Sequence, residues 1–168
     1  MEENSEDIKT LKKEFRILEM KVLVLIAIPL PFFSFVYLSI SQGSTFDLPA
    51  VPVFLNLVLL LLVITLLVGQ LLRFNGKVQG IRNSNLDLIH RVRLLGKATM
   101  ERFWVLLLVG FLASLGLLLY ENPGFTIAYA ITLVFVSLGK PTPDRIIQQL
   151  KLNSGDREKV QQINRRDP

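Results

Sequence analysis

The single histidine, His90, follows Asp87 by three residues, about one helical turn, so a carboxylate could orient its imidazole for general acid–base work. Flanked by Arg82, Arg91, Arg93 and Lys97, the pair reads as a solvated surface feature rather than a catalytic dyad. Gly76 and Gly80 bracket Lys77, but the spacing is not that of a phosphate-cradling loop. With no cysteine, thiol nucleophiles, thiolate metal sites and disulfides are excluded. The intramembrane chemistries also lack their residues: there is no pair of aspartates in an apolar run, no Gly-x-Ser-Gly with a histidine at membrane depth, and no His-Glu-x-x-His. The reading is of a non-enzymatic chain with no cofactor and no metal.

The elements that hold these residues are long and apolar. Four stretches lack any charge: Val22 to Ser41, Leu48 to Leu72, Phe103 to Tyr120 and Pro123 to Gly139. Each can cross a hydrocarbon core of about 30 Å at about 1.5 Å of rise per residue. All 19 Lys and Arg residues lie outside them, in the arm 1–21, the loop 73–102 and the tail 140–168. The short links holding Asp47 and Glu121 contain none. The positive-inside rule then places both ends and the middle loop in the cytoplasm. The fold class predicted is an all-α membrane protein, a four-transmembrane-helix antiparallel bundle with short cytoplasmic amphipathic helices.

The net charge of +5 and pI near 9.7 could suggest a nucleic-acid partner. Orientation alone accounts for that excess, so no nucleic acid is expected; Arg91, Arg93 and Lys97, with Trp104 as interfacial anchor, are assigned to anionic lipid headgroups or a protein partner. The acid-rich arm, with Glu2, Glu3, Glu6, Asp7, Glu14 and Glu19, argues that the first span is a retained anchor and not a cleaved leader. In that arm Ser5 suits an N-cap, and Ile8, Leu11, Phe15 and Leu18 recur on one helical face.

Within the spans, Pro29 and Pro31 remove two backbone donors and predict a kink or local unwinding. Asn56 is expected to hydrogen-bond to a neighbouring helix, and Gly110 with Ser114 forms a small-xxx-small surface suited to close helix approach, the fourth span being the expected neighbour. The loop 73–102 is expected to be loosened at Gly76 and Gly80, to start a new helix at Asn83, Ser84 and Asn85, and to continue into the third span. After the fourth span, Thr142 as N-cap, Pro143 at the first helical position and Asp144 beside the helix dipole start a tail helix. Its contact residues are Asp144, Arg145, Ile146, Ile147 and Leu150, and a second short helix through Val160 and Ile163 follows.

The last span followed by Lys140-Pro141-Thr142-Pro143-Asp144-Arg145-Ile146 resembles the small uncharacterised four-span inner-membrane proteins of Bacteroidota-type bacteria. That resemblance implies the bacterial inner membrane and carries over no activity and no site residue. Because no ionisable residue lies at membrane depth, where one costs about 2.5 to 3.5 kcal/mol and marks a transport path, the favoured role is an accessory, assembly or scaffold subunit. It would work with a membrane-protein partner or as a homo-oligomer. The alternative is a small oligomeric transporter or channel subunit with Asn56, Thr65 and Gln70 on a polar path.

The charge distribution makes a direct prediction. Cysteines introduced at Thr45 and Asn122 react with a membrane-impermeant thiol reagent in intact cells, whereas cysteines at Asn85 and Ser154 do not. Labelling of Ser154→Cys from outside would contradict an even number of spans.

Overall fold

The computed structural model of the chain describes residues 2–43 and 51–162, except for the side chains of 2–8, 10, 11, 159 and 162. Asp47, Leu48 and Pro49, the Ser5 cap, the Ile8 and Leu11 side chains, and Ile163 to Pro168 lie outside that description. The described residues are helical, with no strand among them: α1 (Glu2–Ala27), α2 (Pro29–Ser41), α3 (Phe54–Arg82), α4 (Leu88–Tyr120), α5 (Pro123–Gly139), α6 (Pro143–Leu150) and α7 (Ser154–Gln162). Three stretches, Lys12–Ser41, Phe54–Arg82 and Leu88–Tyr120, are long and apolar enough to cross a membrane. A fourth is counted when α5 is taken together with α6 across the bend at 140–142.

The proline pair in the first stretch acts locally. Ile28 keeps right-handed helical angles and its N–H still donates to the Val24 carbonyl at 3.2 Å. Pro29 has no N–H to continue the ladder, so the helix is interrupted there without losing its course.

A helix in 73–102 that runs on into the third apolar stretch is what α4 provides, from Leu88. The exit from the second stretch is a correction: α3 continues through Gly76 and Gly80 to Arg82, leaving only 83–87 as connection. The glycines do not loosen α3, because Phe74 and Ile81 bury one face of the same turns and hold them in place. Nor does Ser84 start the next helix: its hydroxyl donates to the Ile81 carbonyl at 2.7 Å, closing the end of α3. The first backbone bond of α4 runs from the Arg91 N–H to the Asp87 carbonyl at 3.0 Å.

The chain divides into two compact units, each continuous in space but not in sequence. The first gathers Met1–Val22, Leu72–Glu101 and Lys140–Pro168. Its core is Phe74, Ile81, Leu88, Val92, Leu95, Ala98, Ile146, Ile147, Leu150 and Val160. Ile146, Ile147 and Leu150 form the apolar face of α6, whose start is capped by the Thr142 hydroxyl accepting from the Arg145 N–H. Lys151 closes α6 in the left-handed region at φ +46°. Burying those three side chains stabilises the unit by about 1.5 to 3 kcal/mol each. Its exposed ion pairs, Glu14 with Arg93, Glu19 with Lys140 and Lys77 with Glu101, are screened by water and contribute little beside that burial. Apolar packing therefore holds this unit together.

The second unit comprises Leu23–Leu71 and Arg102–Gly139 and contains one cation, Arg102. Its core joins Phe33 and Val36 of α2 to Ala113 and Leu117 of α4 and to Phe125 and Tyr129 of α5. The Phe33 and Tyr129 rings stack with centroids 3.7 Å apart and planes 2° from parallel. Backbones come close because glycines allow it. A Cβ on Gly116 would lie 2.4 Å from the Phe125 ring. One on Gly110 would lie 3.0 Å from the Pro29 Cβ.

Two identical substitutions should therefore have opposite effects. Gly116→Ala overpacks against Phe125 and should cost about 1 to 3 kcal/mol. Gly76→Ala, which meets open space inside a helix, should gain about 0.5 to 1 kcal/mol. Thermal midpoints of purified variants in detergent measure both, and equal shifts for the two would contradict this packing.

Candidate functional site

Helices in hydrocarbon satisfy their own backbone, so side-chain polar groups there need partners of their own. Most in the second unit bond within their own helix. The Thr65, Ser114 and Thr132 hydroxyls donate to carbonyls four residues earlier, at 2.7, 2.7 and 2.8 Å. Ser114 is fully buried, and Gly110 faces Pro29 of α2 as well as Tyr129 of α5, so the small-residue surface packs against α2 in addition to α5.

Asn56 and Asn122 meet across 66 residues of sequence. The Asn122 amide donates to the Asn56 oxygen at 3.2 Å, while the Asn122 oxygen accepts from the Gly124 N–H at 2.8 Å. One side chain thus caps α5 and ties it to α3. Nearby, the Tyr120 hydroxyl donates to the Pro52 carbonyl at 3.2 Å, and Glu121 turns the chain in the left-handed region at φ +49°. At the other end of α5, the buried Arg102 donates to the Phe135 carbonyl at 3.1 Å, a cation placed at the negative end of the helix dipole. Sequence reasoning placed Arg102 only as the last basic residue of a loop.

Gln70 is the exception. It is 5% exposed, and neither polar atom of its amide has a hydrogen-bond partner among the described residues. It continues the buried stripe of Val63 and Leu67 on α3. Trp104, in contrast, is 58% exposed.

In the first unit, two basic residues assigned to lipid or a partner are engaged internally. Arg91 donates to the Leu150 carbonyl at 3.0 Å, capping the C-terminus of α6. Arg93 donates to both Glu14 oxygens, at 2.7 and 3.4 Å, and that hydrogen bonding, reinforced by charge, holds its guanidinium above its ordinary pKa. Only Lys97 of the three stays exposed with no partner among the described residues. The tail residues Ile146, Ile147 and Leu150 are likewise core rather than open contact surface, leaving exposed Asp144 and half-buried Arg145 on the outer side of α6. The reason is geometric: a helix as short as α6 is held only by burying its one apolar face.

His90 and Asp87 are both exposed and share no hydrogen bond. Among the described residues, no group of three or more His, Asp or Glu is placed to hold a metal ion. A polar cleft of about 330 Å³ does open on the first unit, lined by Phe74, Asn75, Val78, Gln79, Arg82 and Gln149. No family model, curated protein or solved structure matches the chain.

The double role of Asn122 predicts unequal effects. Asn56→Leu loses one interhelical bond, worth about 0.6 kcal/mol. Asn122→Leu loses that bond and a cap worth about 1 kcal/mol. The thermal midpoint should fall further for Asn122→Leu, and the reverse order would contradict the arrangement.

Proposed function

We infer that the chain is a four-span antiparallel bundle with both ends in the cytoplasm of a bacterial cell, serving a non-enzymatic role as an accessory, assembly or scaffold subunit. The observation that carries the reading is the length of α3 and α4 together with the fate of their excess. With 29 and 33 residues, these helices run about 44 and 50 Å, against a hydrocarbon core of about 30 Å. Their overrun, from Leu72 to Glu101, packs with α6 into a unit with its own core. Spanning alone requires no such unit. Arg73, Lys77, Arg82, Arg91, Arg93 and Lys97 on this overrun support its cytoplasmic side.

The partner in this reading is another membrane protein or a second copy, met through the outer charges of the unit, with lipid covering the rest. Leu57, Val58, Leu61 and Leu62 of α3 are exposed and suit acyl chains. Anionic headgroups remain a partner through Lys97 and Trp104. Gln70 is the one residue that favours the competing reading of a small transporter or channel subunit, because an unsatisfied buried amide suits a polar path. Asn56 is tied to Asn122, and Thr65 to its own helix.

A deletion strain with a scorable phenotype separates the two readings. Charge reversal of the exposed Lys97, Asp144 and Arg157 together should abolish complementation without loss of the protein from the membrane. Gln70→Met should complement fully, since removing an unpaired buried amide costs the fold nothing. Loss of function in Gln70→Met alone would sink the scaffold reading.

A further inference from the structure

The geometry points to the cleft between the last turns of α3 and helix α6 as a binding site for a hydroxylated phosphate ester, with Arg82 as its charged anchor. This goes beyond the scaffold reading and does not depend on it. Asn75, Gln79 and Arg82 follow one another at helical spacing on α3, and Gln149 reaches the same space from α6. Side chains on a helix lean toward its N-terminus, so the groups of successive turns incline into one volume. None of the four side chains has a hydrogen bond or ion pair among the described residues, and Arg82 and Gln149 are half-buried. No acidic residue among the described ones lines the cleft. Glu14, Glu19 and Glu101 of the same unit are already engaged by Arg93, Lys140 and Lys77.

The donor set selects the ligand. A guanidinium presents a planar fork that matches two oxygens of a phosphate, and three carboxamides add further N–H donors for the remaining oxygens. Carboxamides also accept, so their oxygens can hold hydroxyl groups that a guanidinium cannot. Phe74 and Val78 supply an apolar floor for a carbon skeleton. The volume of about 330 Å³ exceeds the needs of a bare inorganic anion and matches the lower range of small-molecule sites. Such chemistry is found both in a phosphatidylglycerol headgroup and in soluble glycerol 1-phosphate.

The full-length protein in zwitterionic detergent micelles is titrated separately with phosphatidylglycerol and with glycerol 1-phosphate, following its thermal midpoint at low and moderate salt. The wild type should bind at least one of the two. Binding of phosphatidylglycerol alone identifies a lipid site, and binding of glycerol 1-phosphate identifies a soluble ligand. In either case Arg82→Gln should weaken binding about tenfold or more through loss of the charge-assisted pair, and Gln79→Leu severalfold. Arg16→Gln, which removes an exposed charge outside the cleft, should leave the affinity unchanged. The inference is overturned if neither compound binds, or if Arg82→Gln and Arg16→Gln weaken binding equally, as diffuse surface charge would require. Since Arg82 ends a helix and Gln79 is exposed, both variants keep the fold, which their unliganded midpoints verify.

Discussion

A peptide group in hydrocarbon has no water to turn to, and this requirement shapes the second unit throughout. It demands unbroken helices of sufficient length, and the apolar stretches meet it. Where the ladder fails, at Pro29, neighbouring helices pack closely enough for Gly110 to lie against the proline ring. Side-chain hydroxyls obey the same rule by bonding to their own helix, as Ser114 and Thr132 do. Helix ends are the remaining weak points. Asn122 secures the start of α5, and Arg102 donates near its end. Among the described residues, Gln70 is the one buried side-chain amide left without a partner.

The first unit solves a different problem. It carries every Lys and Arg except Arg102, and charge at that density packs poorly unless an apolar core overrides it. That core comes from two separate parts of the chain, 72–101 and 140–168, with Phe15 of α1 packed against it and the short α6 contributing its whole apolar face. Arg91 shows how charge is turned to structural use: its guanidinium serves the exposed carbonyl end of α6. Arg93 and Glu14 join α4 to α1 at the surface, where such a pair contributes specificity of placement more than energy.

Much of this is legible in the amino-acid sequence. Charge alone drew boundaries after residues 21, 72, 102 and 139, and the units divide at Val22, Leu71, Glu101 and Gly139. Thr142-Pro143-Asp144 announced α6, and Asn122-Pro123 announced α5, because caps are local signals. What stayed hidden depends on distant partners. Gly76 and Gly80 suggested a loosened exit from the span, yet the apolar contacts of Phe74 and Ile81 keep the helix whole. Arg91 and Arg93 looked like outward-facing charge, but their partners lie 59 and 79 residues away in sequence. No periodicity within a short window encodes such a pairing. The cleft at Arg82 escaped for the same reason, since Gln149 completes it from another helix.

In the proposed arrangement one continuous helix, α3, passes from hydrocarbon into water at Leu72 and keeps its helical form beyond it. Because the chain has no cysteine, single spin labels can be placed one at a time at Val58, Leu62, Val68, Gly76 and Gly80 in lipid nanodiscs. Their accessibilities to oxygen and to a water-soluble nickel chelate report depth. The first three positions should be oxygen-accessible and chelate-protected, the last two chelate-accessible, with restricted mobility throughout. Chelate access at Leu62, or the free mobility of a loop at Gly76 and Gly80, would contradict the claim.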